Sequence, residues 1–96
     1  MRVGINGFGR IGRALFRVLH EREGIDVVAV NDIADINSLA HLLKYDSIHR
    51  TFRANIQKSG HNILIDGKSV SVSREAQVDN LSWEGCDVVV EATGNF

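Results

Sequence analysis

Apolar positions along the chain alternate between periods of two and about 3.6, and each change marks where an element begins or ends. Arg2–Asn6 reads as a short strand with Val3 and Ile5 apolar, closed by Gly7 and Gly9. Ile11, Ala14, Leu15, Val18 and Leu19 then recur at i, i+3, i+4, i+7 and i+8. That spacing predicts an amphipathic helix packed along this stripe and stopped by Gly24. Val27–Val30 is apolar without alternation, as a parallel strand covered on both faces requires. Strand, glycine turn, helix and strand within about 30 residues form a βαβ unit with a right-handed crossover.

Asp35 stands where it can cap a second helix, in which Ile36, Leu39, Ala40 and Leu43 share a face. From Thr51 to Ser73 the period falls to two. Ile63 and Ile65 alternate before Asp66-Gly67, and Val70 and Val72 alternate after it, which predicts a hairpin. Ser59-Gly60 predicts a further turn that brings Ala54–Gln57 alongside as another antiparallel strand. Asp87–Glu91, centred on three valines, reads as another buried parallel strand leading into Ala92-Thr93-Gly94. The chain carries no internal repeat and no linker-like stretch.

Composition narrows the class. Ninety-six residues, 44% hydrophobic and 24% charged, suit one globular domain and exclude a disordered segment. A net charge of -1 offers no global attraction for nucleic acid or an anionic membrane. The single cysteine, Cys86, excludes an internal disulfide framework and fits a reducing compartment. No apolar run nears the roughly 20 residues that span a bilayer, and the N-terminus lacks the apolar core of a signal peptide. A cytoplasmic location is expected.

Gly7-Phe8-Gly9-Arg10-Ile11-Gly12 is a full G-x-G-x-x-G between a strand and a helix. Gly7 makes the tight turn, Gly9 lets a pyrophosphate approach the backbone, and Gly12 lets helix and strand pack closely. N–H groups at the helix start, around Arg10 and Ile11, face the phosphates. Asp32, twenty residues after Gly12, ends the second strand. An acid there accepts hydrogen bonds from the adenosine ribose and repels a 2'-phosphate, so NAD is favoured over NADP. A Walker-type phosphate loop is excluded, because no Gly-Lys-Ser/Thr follows the turn.

Other candidates read as structural. Arg10, Arg13 and Arg17 lie on one helical stripe, but Arg13 and Arg17 oppose the apolar positions and are expected on a solvated face rather than on a nucleic-acid surface. His20, His41, His49 and His61 match no local metal-ligand spacing and are expected at the surface or an interface. Cys86 precedes a strand and is expected to be a half-buried structural thiol. Tyr45, Phe52 and Trp83 are too scattered for a base-stacking platform. No nucleophile and base pair stands out, so no catalytic or metal residue is assigned.

Val3-Gly4-Ile5-Asn6-Gly7-Phe8-Gly9-Arg10-Ile11-Gly12-Arg13 resembles the N-terminus of the glyceraldehyde-3-phosphate dehydrogenase family. Val30-Asn31-Asp32, Leu43-Lys44-Tyr45-Asp46-Ser47 with His49, and Glu91-Ala92-Thr93-Gly94 with Phe96 resemble later signatures of that family, in family order. The resemblance implies oxidation of a phosphorylated aldehyde with NAD and inorganic phosphate, through a cysteine thioester and hydride transfer to nicotinamide. It implies glycolytic or gluconeogenic use and a homotetramer. It also implies a cofactor site at Gly7, Phe8, Gly9, Arg10 and Ile11 for the pyrophosphate turn, and Asp32 for the adenosine ribose. Asn31, Thr93, Gly94 and Phe96 would line the adenine side. Ala76 stands where the family commonly has arginine, leaving a backbone contact only, and Arg50 stands where it usually has glycine. The family's Ser-Cys-Thr-Thr-Asn-Cys segment, its catalytic histidine and its substrate domain have no counterpart here, and Cys86 matches neither family cysteine.

The expected architecture is α/β, a Rossmann-type dinucleotide-binding fold with a parallel βαβ core and an antiparallel hairpin insertion, incomplete at the C-terminus. Residues 1–96 are expected to be the N-terminal part of a NAD-binding domain, inactive as a dehydrogenase alone. Alternatives are an erythrose-4-phosphate dehydrogenase fragment, or a stand-alone nucleotide-binding or interaction module.

Overall fold

A computed structural model of the chain describes residues 1–45, 55–75 and 83–93. The first strand, β1 (Arg2–Asn6), buries Val3 and Ile5 as its alternation requires, and runs parallel to β2 (Asp26–Asn31) with Ile5 opposite Val30 and Asn6 opposite Asn31. Between them lies α1 (Arg10–His20). Asp35 opens α2 (Ile36–Tyr45) as expected: its Oδ1 accepts the Asn37 N–H at 2.8 Å, and Leu39 and Leu43 are buried on one face.

Two hairpins follow. β3 (Ile56–Ser59) pairs antiparallel with β4 (Asn62–Ile65), and β4 with β5 (Lys68–Ser73). Asp66 and Gly67 join β4 to β5 with φ of 52° and 82°, the two positive values that a two-residue I′ turn demands. The outer strand is described from Ile56, and Ala54 lies outside the described residues. β5 then pairs parallel with β2, Val72 facing Val30, so one strand joins the hairpins to the parallel sheet. β6 (Val88–Glu91) completes the other side, parallel to β1. The six described strands lie in the order β3-β4-β5-β2-β1-β6. This is a Rossmann-type parallel core with an antiparallel extension.

The core joins Val3, Ile5, Phe8, Phe16, Val30, Leu39, Leu43, Ile63, Ile65, Val70 and Val72. Phe8 and Phe16 meet edge to face with ring centroids 5.8 Å apart. Each such large side chain contributes about 1.5–3 kcal/mol by leaving water.

Three expectations need correction. The buried face of α1 is not the Ile11-Ala14-Val18 stripe: Ile11 is 72% exposed and Val18 53%. Gly12 and Phe16 face the sheet, with Leu15 and Leu19 half-buried beside them. A Cβ at residue 12 would stand 2.2 Å from the Gly7 carbonyl oxygen, so this glycine sets the rotation of the helix. Arg13 and Arg17 do not lie on a solvated face. Arg13 is 8% exposed and donates to the Phe8 carbonyl at 3.0 Å, and Arg17 donates to the Leu43 carbonyl, tying α1 to α2. Gly24 is not the helix cap; α1 ends at His20, and Gly24, with φ of 80°, makes the turn into β2.

β6 is parallel as expected, but it is not buried along its length: Val88 is 43% and Val89 41% exposed. No helix among the described residues is long and apolar enough to cross a membrane.

Candidate dinucleotide site

β1 is the point at which the parallel strand order reverses, with β2 on one side and β6 on the other. In open α/β sheets a crevice opens there, beyond the carboxyl ends of the strands. A cleft of about 450 Å3 occupies that place. Asn6 lines it at the end of β1 with Gly7 and Gly9 just beyond, Asn31 at the end of β2 with Asp32 following, Glu75 from beyond β5, and Glu91 at the end of β6 with Thr93 beyond.

The turn from β1 into α1 separates the roles of its three glycines. Gly7 has φ of 97°, and a Cβ there would meet the Thr93 nitrogen at 2.7 Å. Gly12 is held by the Gly7 carbonyl. Gly9 is different: it has an ordinary φ of -76°, and a Cβ there would meet nothing within 4 Å. Nothing in the packing of the described residues asks for glycine at this position. Gly9 is also the N-cap of α1 and supplies no side-chain acceptor. The first helical bond runs from the Arg13 N–H to the Gly9 carbonyl at 2.9 Å, which leaves the N–H groups of Arg10, Ile11 and Gly12 without an intrahelical partner. The first turn contains no acidic side chain. An uncapped helix start beside open space suits an anion, so the residues present fit a pyrophosphate.

Asp32 is attached to the same turn. Its Oδ2 accepts the Phe8 N–H at 2.7 Å and its Oδ1 accepts the Ala34 N–H at 2.9 Å. Each oxygen keeps acceptor capacity for a hydroxyl, because a carboxylate offers about four lone-pair sites. The half-buried carboxylate is thus fixed at the wall of the cleft, a few residues of backbone away from the helix start.

A row of polar side chains crosses the floor. Glu91, Asn6, Asn31 and Ser73 occupy matched positions on β6, β1, β2 and β5. Asn6 donates to Glu91 Oε2 at 2.9 Å, Asn31 donates to Asn6 Oδ1 at 2.9 Å, and Ser73 donates to Asn31 Oδ1 at 2.8 Å. Glu91 Oε1 accepts the Thr93 hydroxyl at 2.6 Å and the Thr93 N–H at 3.1 Å. The Thr93 hydroxyl, the Asn6 amide and the Thr93 N–H, in that order, hold the Glu91 carboxyl below its ordinary value. Asn6 and Asn31 are each 5% exposed, so their bonds are made in a setting where unpaired groups are costly. Asn6 and Glu91 were not foreseen as part of the cleft. A signal was present on three strands, since the apolar positions of β1, β2 and β6 end in one polar residue: Ile5-Asn6, Val30-Asn31 and Val90-Glu91.

The family model described as "Glyceraldehyde 3-phosphate dehydrogenase, NAD binding domain" matches residues 1–96. The chain belongs to this family. A glyceraldehyde-3-phosphate dehydrogenase of Geobacillus stearothermophilus is 51% identical over 98 residues, taking in 100% of this chain and 29% of that protein. Glyceraldehyde-3-phosphate dehydrogenase 1 of Bacillus subtilis strain 168 is 49% identical with the same coverage. A glyceraldehyde-3-phosphate dehydrogenase of Thermotoga maritima is 46% identical over 99% of this chain and 30% of its own length. The chain therefore spans under a third of the length of these relatives. NAD is the cofactor of the glyceraldehyde-3-phosphate dehydrogenase NAD-binding domain.

Of the cofactor-site residues implied by the resemblance, the structure brings Gly7, Gly9, Asn31, Asp32 and Thr93 around one cleft. Arg10 and Ile11 are exposed at the helix start that faces it. Phe8 turns its ring into the core, and its N–H and carbonyl are taken by Asp32 and Arg13. Asn31 has its side chain committed: beyond Asn6 and Ser73, its Nδ2 donates to the Glu75 carbonyl and its Oδ1 accepts the Glu75 N–H, both at 2.9 Å. Ala76, Gly94 and Phe96 lie outside the described residues, as do Asp46, His49, Arg50 and Phe52. Cys86 is half-buried beside Gly4 and Trp83, at the amino end of the sheet and away from the cleft.

Proposed function

We propose that this chain forms the pyrophosphate and adenosine end of the NAD site in a phosphorylating glyceraldehyde-3-phosphate dehydrogenase. The observation that carries this reading is the joining of Asp32 to the glycine turn, which sets a ribose acceptor beside an uncapped helix start and an open Gly9. Backbone N–H groups of Arg10 and Ile11 hold the pyrophosphate, and Asp32 accepts the ribose hydroxyls. Gly7 and Thr93 form the wall, with Phe8 acting as the buried anchor of the turn. Asn31 serves the adenine side through the backbone that it holds, and Ala76, Gly94 and Phe96 extend that side. NAD, when bound, supplies the hydride acceptor for oxidation of a phosphorylated aldehyde. Residues 1–96 are the N-terminal part of the NAD-binding domain in this reading, and the thioester-forming cysteine belongs to a segment outside them. Cytoplasmic location and tetrameric assembly accompany the reading. The three relatives share the glyceraldehyde-3-phosphate dehydrogenase name, so the erythrose-4-phosphate alternative is not favoured.

The test is cofactor preference. Calorimetry should show the chain binding NAD more tightly than NADP, and Asp32→Ala should weaken NAD while bringing the two affinities together. Because Asp32 also anchors Phe8 and Ala34, the variant loses some stability, and the NAD to NADP ratio is the decisive quantity. An unchanged ratio would remove Asp32 from the ribose site.

A further inference from the structure

We propose that Glu91 is a positioning residue for the adenosine side of the cleft: its carboxylate fixes the direction of the hydrogen-bond chain through Asn6 and Asn31 that holds the Glu75 backbone. The proposal rests on the reading of the cleft as the NAD site. Glu91 makes no use of the glycine turn and stands on β6, two strands away from Asp32.

The chain of bonds has a direction because both ends have fixed polarity. At one end the Glu75 N–H can only donate and its carbonyl can only accept, so Asn31 must present Oδ1 to the first and Nδ2 to the second. That orientation sends the second Nδ2 proton to Asn6, which must answer with Oδ1. Asn6 is then left with its Nδ2 toward β6, where only an acceptor satisfies it. Glu91 Oε2 is that acceptor, at 2.9 Å. Its other oxygen meets two donors from Thr93. Among the described residues every hydrogen bond to the carboxyl is donated to it, and an ionised carboxylate is the one state that accepts all of them. Glutamine cannot. If its oxygen faces Asn6, its NH2 faces the Thr93 N–H, donor against donor; if reversed, it faces the Asn6 NH2.

Asn31 and Asn6 are nearly inaccessible, and the Asn31 side chain has both donors and both acceptor sites filled. A mismatch at Glu91 is therefore relieved by turning Asn6, which then sets its Nδ2 against that of Asn31; turning Asn31 in answer puts donor against donor at the Glu75 N–H and acceptor against acceptor at the Glu75 carbonyl. The backbone that leads on to residue 76 is released in consequence. A group at the end of β6 thus governs the shape of the opposite wall, across three strand pairings and without touching the adenosine itself.

The experiment titrates NAD and AMP by calorimetry into the full chain as wild type, Asp32→Ala, Glu91→Gln, Asn6→Ala and the Glu91→Gln/Asn6→Ala double variant, with thermal midpoints checked. AMP carries only the adenosine half. Glu91→Gln is expected to weaken AMP and NAD by the same factor, roughly tenfold, and the double variant to bind no more weakly than Asn6→Ala alone. Losses that multiply in the double variant, or AMP binding that Glu91→Gln leaves unchanged while Asp32→Ala weakens it, overturn the proposal and leave the NAD site standing. Wild type that binds neither ligand overturns both. Should Glu91→Gln fail to fold, wild-type NMR decides: the Asn31 side-chain amide resonances are expected to move with the Glu91 carboxyl midpoint, and resonances that ignore that midpoint overturn the proposal.

Discussion

Gly9 and Gly12 carry the same letter in the same motif, yet the structure gives them opposite reasons for lacking a side chain. Gly12 is excluded by the protein itself, since a Cβ would strike the Gly7 carbonyl oxygen at 2.2 Å. Gly12→Ala should cost about 1–3 kcal/mol of stability in urea unfolding, because the helix must shift off the strand. Gly9 faces open space at an ordinary φ. Gly9→Ala should leave stability equal or raise it by about 0.4–1 kcal/mol, while calorimetry shows weakened NAD binding, because the methyl group stands where the pyrophosphate approaches. A variant that lost stability and kept its NAD affinity would reverse that assignment. The sequence motif alone could not tell these two glycines apart, as spacing says nothing about what lies opposite a Cβ. Asp32 was legible from spacing, whereas its bonds to Phe8 and Ala34 depend on how the turn folds back over β2.

Elements were easier to find than to orient. Both helices and all six described strands follow the changes of apolar period, and the Asp66-Gly67 turn has the conformation that its dipeptide implies. The rotation of α1 did not follow, since apolarity marks what can be buried and the Gly7–Gly12 contact decides what is. Arg13 and Arg17 were misplaced for a related reason: a charged side chain reads as solvated until a carbonyl acceptor, here of Phe8 and Leu43, is seen within its reach. The far end of α1 is tied to the β4–β5 turn through His20, whose Nε2 lies 3.2 Å from Asp66 Oδ2. The Asn55 N–H foremost, and then His20, hold the Asp66 carboxyl below its ordinary 3.8. A lowered carboxyl stabilises the fold above its unfolded value, and that contribution is lost as pH falls through the folded value. Asp66→Asn keeps a residue that tolerates the positive φ and removes the ionisation. Its acid unfolding, followed by circular dichroism below about pH 4, should be shallower than that of the wild type.

At the scale of the molecule, strand order was the least legible feature. Matching Asn6 to Asn31 and Glu91 requires pairings between segments 25 and 85 residues apart, and no local pattern records them. The same order leaves β6 at one margin of the described sheet with Val88 and Val89, which point to opposite faces, both partly open. An uncovered apolar margin promotes self-association. Val88→Lys should lower concentration-dependent association of the chain in sedimentation experiments without altering NAD affinity. β5 has a different consequence, in time rather than in space. Its turn to β4 closes over two residues, an event of about microseconds, whereas its pairing with β2 must close a loop of 42 residues. A strand already held in register by its hairpin arrives at β2 with part of its ordering entropy already lost. Residues in the Asp66-Gly67 turn should therefore act before the folding barrier. Gly67→Ala, at a φ of 82°, is expected to slow refolding in stopped-flow measurements and to leave the unfolding rate nearly unchanged.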